Sequence, residues 1–84
     1  MRREPLESEQ AGEYYRQALT LADELDMRPL VAHCHLGLGT LYGRMGRAGL
    51  ARAELIAGIE LYRAMNMTFW LPQAEAVLAE VDGG

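Results

Sequence analysis

The chain has no lysine, one cysteine, one serine and two histidines among its 84 residues. Each scarcity excludes something. The lone Cys34 cannot close an internal disulfide, which fits a reducing compartment. No apolar run approaches the roughly 20 residues of a membrane-spanning helix, so no membrane partner is expected. The first ten residues, MRREPLESEQ, lack the apolar segment of a secretory signal, and a cytoplasmic location follows as the expectation. Strand signals are missing as well: there is no alternating apolar run and no Asn-Gly or Asp-Gly between apolar stretches.

All eight basic residues are arginine, scattered apart from the pair Arg2 and Arg3, and the net charge is −4. Phosphate contacts need clustered cations, so nucleic acid is not an expected partner. Half of the residues are hydrophobic and 24% are charged, the balance of an ordered globular chain. Eighty-four residues allow a single domain, 1–84, with a small core.

What remains is helical periodicity. Ala11, Tyr15, Ala18, Leu19, Ala22 and Leu25 fall on one side of a first helix, expected over residues 7–26, after a polar start containing Pro5. Pro29 suits the first turn of a second helix, 29–45, with the stripe Val31, Cys34, Leu38, Leu41, Tyr42 and Met45. Gly46 supplies the left-handed residue common just past a helix end, and Gly43 either weakens the last turn or admits a close neighbour. A third helix, 48–66, carries Ala51, Leu55, Gly58, Ile59 and Tyr62 on one side. It has Leu50, Ile56, Ala57 and Leu61 elsewhere, so it needs cover on two sides. Asn66 ends it. A fourth helix, 68–82, has Thr68 as its cap, Pro72 in its first turn, and Trp70, Ala74, Val77, Leu78 and Val81 inward. Asp82, Gly83 and Gly84 form a loose end, and Phe69 fits either a core or a surface position. The fold class is all-α with four helices.

The chain also overlays on itself at an offset of 40 residues. Ala11 falls on Ala51, Tyr15 on Leu55, Ala18 on Gly58, Leu19 on Ile59, Leu21 on Leu61, Leu25 on Met65 and Met27 on Met67. Small residues fall on small and large apolar on large apolar. The first helix repeats as the third, and the second as the fourth.

The central segment carries Leu38-Gly39, Tyr42, Gly46, Ala51, Leu55 and Gly58 at the spacing of a tetratricopeptide repeat, which it resembles. His35 stands where that family usually has Trp, and Arg63 where a Pro often ends the unit. Without that Pro the third helix runs on, which lengthens the period from the family's about 34 residues. LADELDMRPLVAHCHLGLGTLYGRMG looks like the repeat regions of large bacterial signalling proteins, such as those joined to nucleotide-cyclase or ATPase domains. The resemblance spans about residues 11–82 and implies tetratricopeptide-like antiparallel helix pairs, a piece of an α-α superhelix. One complete unit, 32–65, is flanked by half-units. Gly39 and Ala51 leave room for the second and third helices to approach, with Tyr42 and Leu55 beside the crossing.

Candidates for chemistry are few. His33, Cys34 and His35 share a helix, where residues two apart point about 200° from each other, so the two histidines cannot chelate one ion. A Cys–His nucleophile lacks an orienting third group, and Cys34 reads as a small core residue. The glycines at 37, 39, 43, 46 and 49 follow no strand and precede no Gly-Lys-Ser/Thr, so they make no phosphate loop. Asp23, Glu24 and Asp26 lie at a helix C-terminus, as an anionic contact surface or a solvated face. No catalytic residue, metal or cofactor is expected.

In the family, the first helix of each unit lines a concave groove for a partner peptide. The matching positions here are His33, Leu36, Thr40, Gly43 and Arg44, and, by the offset, Gln73, Ala76 and Glu80. These constitute either a groove or an ordinary solvent face. The family's carboxylate clamp uses Lys and Asn at such positions, and this chain has neither there.

The resemblance therefore implies a non-enzymatic protein-interaction module. Two or more copies are expected to associate through the uncapped ends, the helix around Trp70 to Val81 against the first helix of another copy. The alternative is a segment of a larger bacterial signalling protein acting as a regulatory spacer.

Overall fold

The structure, a computed structural model, describes residues 3–83, and side chains from residue 9 onward. It is all-helical there: α1 (Arg3–Glu24), α2 (Arg28–Arg44), α3 (Ala48–Ala64) and α4 (Leu71–Gly83), with no strand among the described residues.

The helix ends share one device. Asp26, Gly46 and Asn66 adopt positive φ of 58°, 77° and 60°, and they stand 20 residues apart. At each, the next residue's N–H returns five residues to a carbonyl: Met27 to Ala22 at 2.8 Å, Arg47 to Tyr42 at 2.9 Å, Met67 to Tyr62 at 2.9 Å. This is the Schellman pattern, which satisfies carbonyls that a helix end would otherwise leave open.

The beginnings differ more. α1 starts at Arg3, four residues ahead of the expected start, and Pro5 falls in its first turn, where a missing N–H has no consequence. The expected frayed start falls partly on residues 1 and 2, which lie outside the described residues. α4 starts at Leu71, three residues after Thr68, so Thr68 does not cap it. Instead Met67–Trp70 forms a turn, with the Trp70 N–H on the Met67 carbonyl, and the Trp70 carbonyl accepts the first helical bond from Ala74. Pro72 is then the second residue of α4, where its missing N–H leaves no helical bond unmade. At the other end α4 continues through Asp82 and Gly83, where a loose end was expected, and Asp82 pairs with Arg52 of α3.

Consecutive helices pack antiparallel. Tyr15 of α1 lies over Gly37 of α2, and Gly12 lies beside Leu41. α2 and α3 make the broadest contact. An ideal Cβ on Gly39 would stand 2.5 Å from Leu55 Cγ and 3.2 Å from the Ala51 carbonyl oxygen. One on Gly58 would stand 3.3 Å from the Ala32 carbonyl oxygen. The two glycines let the backbones touch from both sides. Leu55 fills the crossing, whereas the Tyr42 hydroxyl turns back to α1, accepting from Arg16 at 2.8 Å. α3 then packs on α4.

α2 and α4 run parallel and touch at both ends. The His33 and Trp70 rings meet edge to face at 4.7 Å, and Gly43 lies against Val81, the close neighbour its missing side chain permits. α1 touches neither α3 nor α4 among the described residues. The result is a plate 18 Å thick, about two helix diameters: α1 and α3 in one layer, α2 and α4 in the other. The core is thin. Tyr62, Leu38 and Leu55 are its largest fully buried side chains, and much of the rest is alanine.

Candidate interaction surfaces

The expected groove residues divide into those already engaged inside the molecule and those facing solvent. His33 is half-buried: its Nδ1 and the Tyr62 hydroxyl share a hydrogen bond of 2.6 Å, and its ring abuts Trp70. Burial pushes the Tyr62 hydroxyl up to about 12, with nearby Cys34 adding to the rise, so the phenol stays protonated well into alkaline pH. Leu36 is half-buried against a cluster of Ala32, Ile59, Tyr62 and Ala74. Thr40 donates to the Leu36 carbonyl at 2.9 Å. Arg44, Gln73 and Glu80 are exposed, and Gln73 reaches the Phe69 carbonyl. His33, Leu36 and Thr40 lie on α2, Gln73 and Glu80 on the parallel α4, and the seam between those helices is closed at its ends by Trp70 and Val81.

The residues considered for chemistry are held apart. His35 turns the other way from His33, donating from Nδ1 to Glu54 Oε1 at 2.7 Å. Cys34 is buried between them, and burial raises its thiol above the ordinary value, so it stays a neutral core residue. An open cleft between α1 and α2 is lined by Leu19, Thr20, Asp23, Glu24, Val31 and His35. Among the described residues no three His, Cys, Asp or Glu side chains gather as metal ligands. No described helix is long and apolar enough to cross a membrane.

The larger feature is apolar. Tyr14 and Leu21 of α1 and Leu25, the residue just past its end whose N–H still bonds the Leu21 carbonyl, are 69%, 57% and 60% exposed, and with half-buried Ala18 they form a stripe at steps of 4, 3 and 4 residues. That spacing keeps them on one helix face. Leu25, expected inward, therefore points out: the side of α1 it occupies is not the side that meets α2. At the far end of the molecule Phe69 is 72% exposed, beside exposed Pro72, Ala76 and Ala79 on α4. The sequence held the signal for this stripe in its seven-residue step from Tyr14 to Leu21. The offset placed Leu21 and Leu25 on Leu61 and Met65, and so suggested they were covered.

Compared with protein-family models, curated proteins and solved structures, the chain matches none.

Proposed function

We propose that this chain is a non-enzymatic protein-interaction module, a tetratricopeptide-like helical scaffold in a cytoplasmic setting. One observation carries the reading. A chain with a thin core leaves Tyr14, Leu21 and Leu25 aligned and more than half exposed on a single helix face. Aligned exposed apolar side chains of this size mark a surface that another polypeptide covers. Supporting it, the helices stack in chain order with α2 and α4 side by side, the arrangement a repeat array needs to extend. The two histidines serve structural hydrogen bonds to different partners, which fits a scaffold better than a catalyst.

The partner is a protein or peptide, met either by self-association through the ends or along the α2–α4 seam. Selecting displayed peptides against the folded chain, alongside light-scattering measurements of its mass, tests the reading. A peptide consensus whose binding is lost on Arg44→Glu, or concentration-dependent mass, supports it. A chain that stays monomeric and selects no peptide overturns it.

A further inference from the structure

The exposed faces of α1 and α4 are the two halves of a contact that the molecule already makes once. Within the chain, α3 meets α2 through Leu55 and Gly58 set against Gly39 and Ala32, and Leu61 and Met65 are half-buried against the cluster beside them. Forty residues earlier, the positions of Gly58, Leu61 and Met65 are Ala18 and Leu21 of α1 and Leu25 just past its end. There the two leucines stand in solvent. Among the described residues no helix of the α2 kind lies against them.

That kind of face is present on α4. Forty residues after Ala32, Leu36 and Gly39 come Pro72, Ala76 and Ala79, all exposed and without long side chains. Exposed Phe69 adds apolar area beside them. The polar pair changes on both sides together. Inside, His35 of α2 donates to Glu54 of α3. At the ends the corresponding residues are Glu75 of α4 and Tyr14 of α1, so a carboxylate meets a hydroxyl donor and not a second carboxylate. Glu75 gives one oxygen to Arg63, and the other is left for that donor.

We propose that a second copy of this chain supplies a helix of the α2 kind: α4 of one copy docks on the Tyr14–Leu21–Leu25 face of α1 of the next, continuing the internal α2–α3 interface. The inference rests on the interaction-module reading and gives it a partner and a polarity. Because the two faces differ, the joint is head-to-tail, and association proceeds to a ring or a filament and not to a closed two-fold pair.

The test is the mass of the full chain by sedimentation or light scattering from micromolar to millimolar concentration, with two surface variants, Leu21→Arg on α1 and Ala79→Arg on α4. The wild-type mass should climb past twice the 9.3 kDa of one chain. Each variant alone should weaken association by more than about tenfold and run as a monomer. Mixed in equal amounts, they should form a species of two chains and no larger, since each retains the face the other has lost. Should Leu21→Arg disturb the helical circular dichroism, Leu25→Arg replaces it. Four results overturn the proposal: a monomeric wild type, a mixture that stays monomeric, variants that both associate as wild type does, or self-association that survives Ala79→Arg but not Leu21→Arg. The last would mean α1 pairing with α1. A monomeric wild type that still selects peptides removes this inference and leaves the interaction reading standing.

Discussion

Two residues show how little bulk holds this molecule and how closely it fits. Tyr62 is fully buried, and its hydroxyl has His33 as a side-chain partner. Its folded-state value, about 12, lies above the ordinary 10 of an unfolded tyrosine. The unfolded chain therefore sheds this proton first. The associated stability is complete below about pH 10 and is lost as pH rises from 10 through 12. Tyr62→Phe should remove that part of the alkaline loss, readable in melts between pH 9 and 12. At neutral pH it should lower stability by about 1 kcal/mol through the lost hydrogen bond. Gly39 is the second case. A Cβ there already meets Leu55 at 2.5 Å and a backbone carbonyl at 3.2 Å, so Gly39→Leu should overpack the crossing and cost about 1–3 kcal/mol. An unchanged melting temperature by circular dichroism would count against this account of the α2–α3 contact. Gly39, Ala51 and Leu55 were legible because size alternation survives in sequence. The His33–Tyr62–Trp70 cluster was not, since it joins positions 29 and 37 residues apart whose meeting depends on three helices at once. For the same reason His33 read as a groove residue and stands partly enclosed.

At the scale of the element, the helix stops carry the most readable chemistry. Gly46, Asp26 and Asn66 are all left-handed, but only glycine adopts that backbone without a steric penalty. A Cβ on Gly46 would meet nothing within 4 Å, so Gly46→Ala isolates the backbone effect and should cost about 1 kcal/mol. Asp26→Gly should have the opposite sign, a gain of a few tenths to 1 kcal/mol, with urea unfolding reading both. The helix starts were harder to read. Pro72 announces a first turn, yet α4 begins three residues after Thr68 because the Met67–Trp70 turn takes up the slack. The packing register survives this: Ala74 and Leu78 sit inward on α4 as Cys34 and Leu38 do on α2. Exposed ion pairs such as Arg63–Glu75 add little beside this register.

Across the whole molecule, the all-helical class and the order of packing follow from periodicity and from the self-overlay. Which faces stay open does not. α1 and α3 share a pattern, and a pattern cannot say that α3 has neighbours on two sides and α1 on one. The equal spacing of Asp26, Gly46 and Asn66 has a consequence for how such a chain can grow. Each stop is a splice point. A second copy of residues 27–66 inserted after Asn66 meets the same left-handed cap it left, and every helix keeps its phase. The lengthened chain gains one interior seam while its two open faces stay as they are. In a one-dimensional array, where stability grows with the number of neighbour contacts, it should melt at a higher temperature than the parent by circular dichroism. Duplicating the gene segment between Asp26 and Asn66, two stops forty residues apart, would therefore lengthen the chain without disturbing the helices on either side.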